Sequence, residues 1–171
     1  MNRKLLLACG AIGFVASCTT PDDDAPEGEL TVSADDTAAD TAVDQAVIDD
    51  KADSGLSYLA VAKVAQDAGV PCSYDRLATA VAIAKAESGF KSTATNTLGN
   101  AHGIDRGLWQ VNSYWHPEVS VACAFSPSCN ARAMYRISSH GEKWSAWWTY
   151  NNGKHLPFMV KSRAAAAAIC P

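Results

Sequence analysis

Two acids, Glu87 and Asp105, stand in a stretch (residues 86–112) rich in Gly, Asn, Ser and Thr. The aromatic-polar run Gly107-Leu108-Trp109-Gln110-Val111-Asn112 follows directly. Two carboxylates flanking a loop suit a helix end and a helix start. They equally suit the two halves of an acid-catalysed cleavage site, in which one carboxyl donates a proton to a leaving oxygen.

Glu87 follows Ile83 and Ala84 by four and three positions, so it continues the apolar face of the helix that carries it. It also falls in that helix's last turn, where the macrodipole disfavours negative charge. Both effects raise a carboxyl pKa and keep the group protonated closer to neutral pH. The alternative is a solvent-facing Glu beside Lys91. Asp105 has its own plain reading, as an N-cap for the turn Gly107–Asn112, because Asp is among the best caps.

The elements that must position these acids are helices. Residues 56–69 read as a helix ending at Gly69, and Pro71 blocks its continuation. Residues 73–89 form a second, capped near Ser73 or Asp75 and closed by Gly89. Its apolar positions Leu77, Ala80, Val81, Ile83 and Ala84 make a broad buried face. Residues 91–106 are turn-rich, hence a loop or a short irregular hairpin. Residues 107–112 read as a brief helix or turn. A further helix starts at Ser126 with Pro127 behind it, and a short aromatic helix ends at Gly153. Residues 156–170 form the last helix. No strand of any length and no internal repeat is legible. The expected fold class is mainly α, of α+β type: a compact helical domain with a cleft and at most a small hairpin.

Charge divides the 171-residue chain. Of the 18 acidic residues, 12 fall between Asp22 and Asp53, with Lys51 the only base there and no aromatic residue. From Gly55 onward, 11 Lys/Arg stand against 6 Asp/Glu, a net of +5, and all five tryptophans lie there. Residues 18–54 therefore read as an acidic flexible tether, although the Ala/Val spacing in its second half would also suit a transient helix. Residues 55–171 are the folded domain, large enough for one modest core.

Before the tether, Arg3 and Lys4 precede an apolar run from Leu5 to Val15, too short to remain as a bilayer-spanning helix. It ends in Val15-Ala16-Ser17-Cys18. This resembles the bacterial lipobox, so residues 1–17 are expected to be a lipoprotein signal peptide and Cys18 the lipidated residue. A plain secretory signal is the alternative. Cys9 would leave with the signal. Cys72, Cys123, Cys129 and Cys170 remain, an even number that suggests two disulfides in an exported domain. A short Pro-containing turn separates Cys123 from Cys129, so a local bridge is expected, and Cys72–Cys170 then ties the domain's beginning to its end. No Cys-x-x-Cys occurs, and His102, His116, His140 and His155 share no ligand-like spacing, so no metal is expected.

In order along the chain, Ala86-Glu87-Ser88-Gly89-Phe90, the Gly107–Asn112 run, Asn130-Ala131-Arg132-Ala133-Met134-Tyr135-Arg136-Ile137 and residues 144–153 resemble the lysozyme-like domain of lytic transglycosylases. The resemblance implies an acid/base at Glu87 with Ser88 beside it. It also implies a cleft lined by Gln110 and Asn112, Tyr150 facing the glutamate, and peptidoglycan as substrate. Sugar faces invite aromatic stacking and sugar hydroxyls invite amides. Trp109 or Trp115 would supply the first, and Asn96, Gln110 and Asn112 the second. At least two of Trp144, Trp147 and Trp148 are expected in the core.

Lytic transglycosylases commonly use one glutamate, and the sugar's own 6-hydroxyl closes on C1 to give a 1,6-anhydro end. Chicken-type lysozymes add an aspartate and deliver water. Ile104-Asp105-Arg106-Gly107 resembles the latter arrangement, so Asp105 matches a second carboxylate able to stabilise positive charge at C1. The expected activity is cleavage of the β-1,4 bond between N-acetylmuramic acid and N-acetylglucosamine, of lytic transglycosylase type. The alternatives are a hydrolytic lysozyme and a catalytically silent wall-binding lipoprotein. Expected partners are peptidoglycan glycan strands, whose anionic character the +5 domain suits, and a membrane through Cys18. The outer membrane is the expected location, since a non-acidic residue, Thr19, follows Cys18. No cofactor and no nucleic-acid partner is expected.

Overall fold

The computed structural model describes residues 55–97 and 102–170. The expected signal peptide, Cys18 and the acidic tether lie outside these residues.

Helix α1 spans Tyr58–Asp67 and opens on Ser57, whose hydroxyl accepts the Ala60 N–H at 3.1 Å. Its buried residues Tyr58, Val61, Ala62 and Ala65 fall at the i, i+3, i+4, i+7 spacing of one helical face. Helix α2, Tyr74–Ser88, is the central element. Leu77, Ala78 and every residue from Ala80 to Ala84 are fully buried, so it is enclosed on nearly all sides. It ends where expected. Gly89 takes the left-handed conformation (φ 62°) and its N–H bonds to the Lys85 carbonyl, a geometry that a side chain would strain.

Three two-residue strands follow: β1 (Thr95–Asn96), β2 (Asp105–Arg106) and β3 (Val111–Asn112), antiparallel in the order β1-β2-β3. The expected small hairpin is thus a three-stranded meander, and the run 107–112 is a turn followed by a strand. Left-handed residues at both ends of that turn, Gly107 (φ 79°) and Gln110 (φ 47°), reverse the chain and bring Val111–Asn112 back onto β2. Gly107 has no substitute: a Cβ there would lie 2.0 Å from the Ala124 carbonyl oxygen.

Helix α3 (Val121–Phe125) is a short element that the sequence reading did not anticipate. It is capped by Ser120, whose hydroxyl accepts the Cys123 N–H. Helix α4 (Pro127–Ile137) begins with Ser126 at its N-cap and Pro127 in its first turn. Helix α5 (Trp148–Asn151) is a single aromatic turn, and a 3₁₀ turn (Leu156–Phe158) leads into α6, Met159–Ile169. The fold is mainly α with a small antiparallel sheet, as expected.

The core forms where α2 packs against α1 and α6. Alanines dominate both sides of the α2–α6 contact, Ala165 and Ala166 being fully buried, and small side chains let helix axes approach closely. Both expected disulfides are present: Cys72–Cys170 with Cα atoms 5.4 Å apart, and Cys123–Cys129 at 5.0 Å. The first ties the segment before α2 to the end of α6, and the second staples α3 to α4. Trp144 and Trp147 are core residues as expected, while Trp148 is 64% exposed.

Candidate active site

The last turn of α2, the β2–β3 turn and α5 converge on a cleft of about 430 Å³. Glu87 and Asp105 both line it, together with Gln110, Val111 and Asn112 from the turn and β3. Trp115, His116, Ile137, Ala146, Trp147 and Trp148 complete the walls. Two carboxylates 18 positions apart in sequence therefore share one concave site.

Glu87 is half-buried, and its Oε1 accepts a 2.7 Å hydrogen bond from the Thr149 hydroxyl. Its pKa lies above the ordinary carboxyl value. Loss of hydration by burial is the largest cause, opposed by the Thr149 hydroxyl, reinforced by the negative charge of Asp105, and opposed again by the Thr149 backbone N–H. The solvent-facing alternative for Glu87 does not hold.

Asp105 is a strand residue. It pairs with Asn96 on one side and Asn112 on the other, so register puts the three side chains in one cross-strand row. The Asn112 amide donates to Asp105 Oδ1 at 2.7 Å and the Asn96 amide approaches Oδ2 at 3.5 Å. No helix starts at residue 107, so the N-cap reading of Asp105 gives way to this sheet pairing.

Residues 62–149 match the family model of the lysozyme-like domain. The chain belongs to this family. Its members are peptidoglycan-acting glycosidases and transglycosylases. Neither the curated proteins nor the solved structures provide a significant match.

Within this lysozyme-like domain the remaining expected site residues separate. Gln110 lines the cleft, and its amide donates to the Ala94 and Gly107 carbonyls, which offsets its left-handed backbone. Asn112 lines the cleft too, but its carbonyl oxygen accepts the Tyr114 and Trp115 N–H groups, so it also shapes the following turn. Asn96 is exposed on β1, and its amide approaches the Asp105 carboxylate at 3.5 Å.

The expectation for Trp109 needs correction, and Ser88 and Tyr150 make contacts of their own. Trp109 is fully buried and cannot offer a face to a sugar. Its indole N–H donates to the Ala80 carbonyl of α2, and its own carbonyl accepts the Trp147 indole N–H, both at 2.8 Å. Its backbone N–H donates to the buried Asn130 of α4, so Trp109 fastens the turn to the core. Ser88 is committed to the helix end, donating to the Ala84 carbonyl and accepting the Phe90 N–H. Tyr150 is stacked on His155 with ring centroids 4.8 Å apart and is not among the residues lining the cleft.

The residue that meets Glu87 is Tyr150's neighbour, Thr149, which the sequence reading passed over. Trp148 stands exposed on the cleft wall, as does Trp115, which is 67% exposed. His116 lines the cleft and its Nδ1 lies 3.3 Å from the Glu118 carboxylate. That carboxyl is held below its usual range chiefly by its own backbone N–H, with His116 helping.

Proposed function

We propose that the protein is an exported muramidase that cuts the MurNAc-β-1,4-GlcNAc bond of peptidoglycan with Glu87 as acid and then base. The observation that carries this is the partly buried Glu87 carboxyl, its pKa raised, in a cleft lined by amides and two exposed tryptophans. A carboxyl kept neutral nearer to working pH has a proton to give to a leaving glycosidic oxygen. The C1–O bond breaks, its electron pair stays with the protonated oxygen, and Glu87 is left as a carboxylate able to take a proton from the next nucleophile. In the lytic transglycosylase reading that nucleophile is the sugar's 6-hydroxyl. Trp115 and Trp148 offer stacking faces to the glycan.

One observation favours a second outcome for the same cleft. Asp105 lines it beside Glu87, and its charge acts on Glu87, as a second carboxylate does in retaining hydrolysis. Mass spectrometry of digested peptidoglycan separates the two, because an anhydro end is one water lighter than a reducing end. A gel-embedded wall-clearing assay with Glu87→Gln addresses the non-catalytic rival: clearing by the native chain and none by the variant excludes a silent wall binder.

We further propose that residues 1–17 direct export and that Cys18 is lipidated, which would hold the domain at a membrane, the outer membrane being preferred, by the tether. Cys18→Ala should release the protein or leave the signal uncleaved. Unchanged processing and membrane association in that variant would refute the anchor.

A further inference from the structure

Thr149 occupies a position from which it governs the Glu87 carboxyl, 62 residues away in sequence. It is 9% exposed, and its hydroxyl reaches Oε1 at 2.7 Å. The surroundings hold it from both sides. Trp147, two residues before it, is tied by its indole N–H to the Trp109 carbonyl, and Trp109 is tied to α2. Behind it, the Thr149 carbonyl accepts the Lys154 N–H at 2.8 Å and faces Nδ1 of buried His155 at 3.4 Å. A hydroxyl fixed in this way is a preorganised donor and needs no rearrangement when charge develops on the carboxylate.

We propose that Thr149 is the positioning residue of the acid: its hydroxyl occupies Oε1, so the transferable proton resides on Oε2, and it stabilises the carboxylate left after that proton departs. This rests on the reading of Glu87 as the acid. The chemistry is directional. An oxygen that already accepts a hydroxyl hydrogen is the poorer seat for a proton of its own. After transfer to the glycosidic oxygen, the same bond becomes charge-assisted and strengthens. Thr149 therefore favours the ionised product of the proton-transfer step over its neutral reactant, and removing its hydroxyl makes Glu87 a weaker acid. The other titratable groups around the site are Asp105 and His116 in the cleft and His155 behind Thr149.

The test is Thr149→Val, which keeps shape and removes the donor, beside Thr149→Ser, which restores it. Thr149→Ala replaces the valine variant if that does not fold. In the valine variant the high-pH limb of the kcat/KM profile should move up by about one pH unit. Its kcat should fall about tenfold with KM within about twofold, since the hydroxyl acts on the transition state. A ¹³C NMR titration of the Glu87 carboxyl without substrate should show the same upward shift, and serine should reverse all of it. A folded valine variant with unmoved Glu87 titration and unchanged kcat, while Glu87→Gln is inactive, overturns the proposal alone. A fully active Glu87→Gln protein overturns the acid reading and this proposal with it.

Discussion

Asp105 and Asn112 face each other across the β2–β3 ladder, and the Asn112 amide donates to the Asp105 carboxylate at 2.7 Å. The same Asn112 uses its carbonyl oxygen to hold the Tyr114 and Trp115 N–H groups. A carboxylate at the cleft is thereby connected to the turn that presents Trp115. Asp105→Asn keeps an acceptor for Asn112 but removes the charge. If that charge supports an oxocarbenium-like state, activity should fall about ten-fold or more with melting little changed. Because Asp105 raises the Glu87 pKa, the high-pH limb of the activity profile should also move to lower pH. A profile and rate identical to wild type would leave Asp105 only a structural partner of Asn112.

For Glu87→Gln, loss of the proton donor should reduce peptidoglycan cleavage by roughly two to four orders of magnitude. Stability should change in the opposite direction. The folded pKa of Glu87 is raised above its unfolded value. Its relative contribution to folding is therefore fully present below the unfolded carboxyl pKa and is lost as pH rises through the folded one. At pH 7 the native protein bears that loss and the glutamine variant does not. Thermal melting at pH 7 should place Glu87→Gln at or above wild type, with the gap shrinking as pH falls. A variant clearly less stable at pH 7 would contradict the burial argument.

The five tryptophans should divide by location. Trp109→Ala should cost about 3–5 kcal/mol of stability, because it empties a fully buried site and leaves the Ala80 carbonyl without the indole N–H it accepts. Trp115→Ala should leave denaturant midpoints nearly unchanged and raise KM for glycan. Equal destabilisation of both would contradict their assigned places.

The disulfides should differ in weight. Cys72–Cys170 closes a separation of 98 residues and Cys123–Cys129 only 6. Chain-entropy models give roughly 4–5 kcal/mol for the first and about 2 kcal/mol for the second. Serine pairs at each bridge, compared by urea unfolding, should rank in that order. Non-reducing peptide mapping that returned a Cys72–Cys123 peptide would refute the pairing itself.

What the sequence alone determined was local. Periodicity and stop signals placed α2 and its end at Gly89, because a helix repeats every 3.6 residues and a left-handed glycine terminates it within one turn. That in turn put Glu87 at the edge of a buried face. The bridges were legible because parity and one short spacing leave a natural pairing. Tertiary structure decided what depends on residues far apart in the chain. Nothing near Thr149 announces Glu87, 62 positions earlier, and nothing in the identity of Trp109 or Trp115 tells which is walled in. Trp109 is buried because the turn carrying it is drawn against α2 by its indole and against α4 by Asn130, whereas Trp115 lies beyond the last strand and is 67% exposed. The β2–β3 pairing was likewise invisible: two-residue strands carry no alternation to read, and their register comes from the left-handed turn between them.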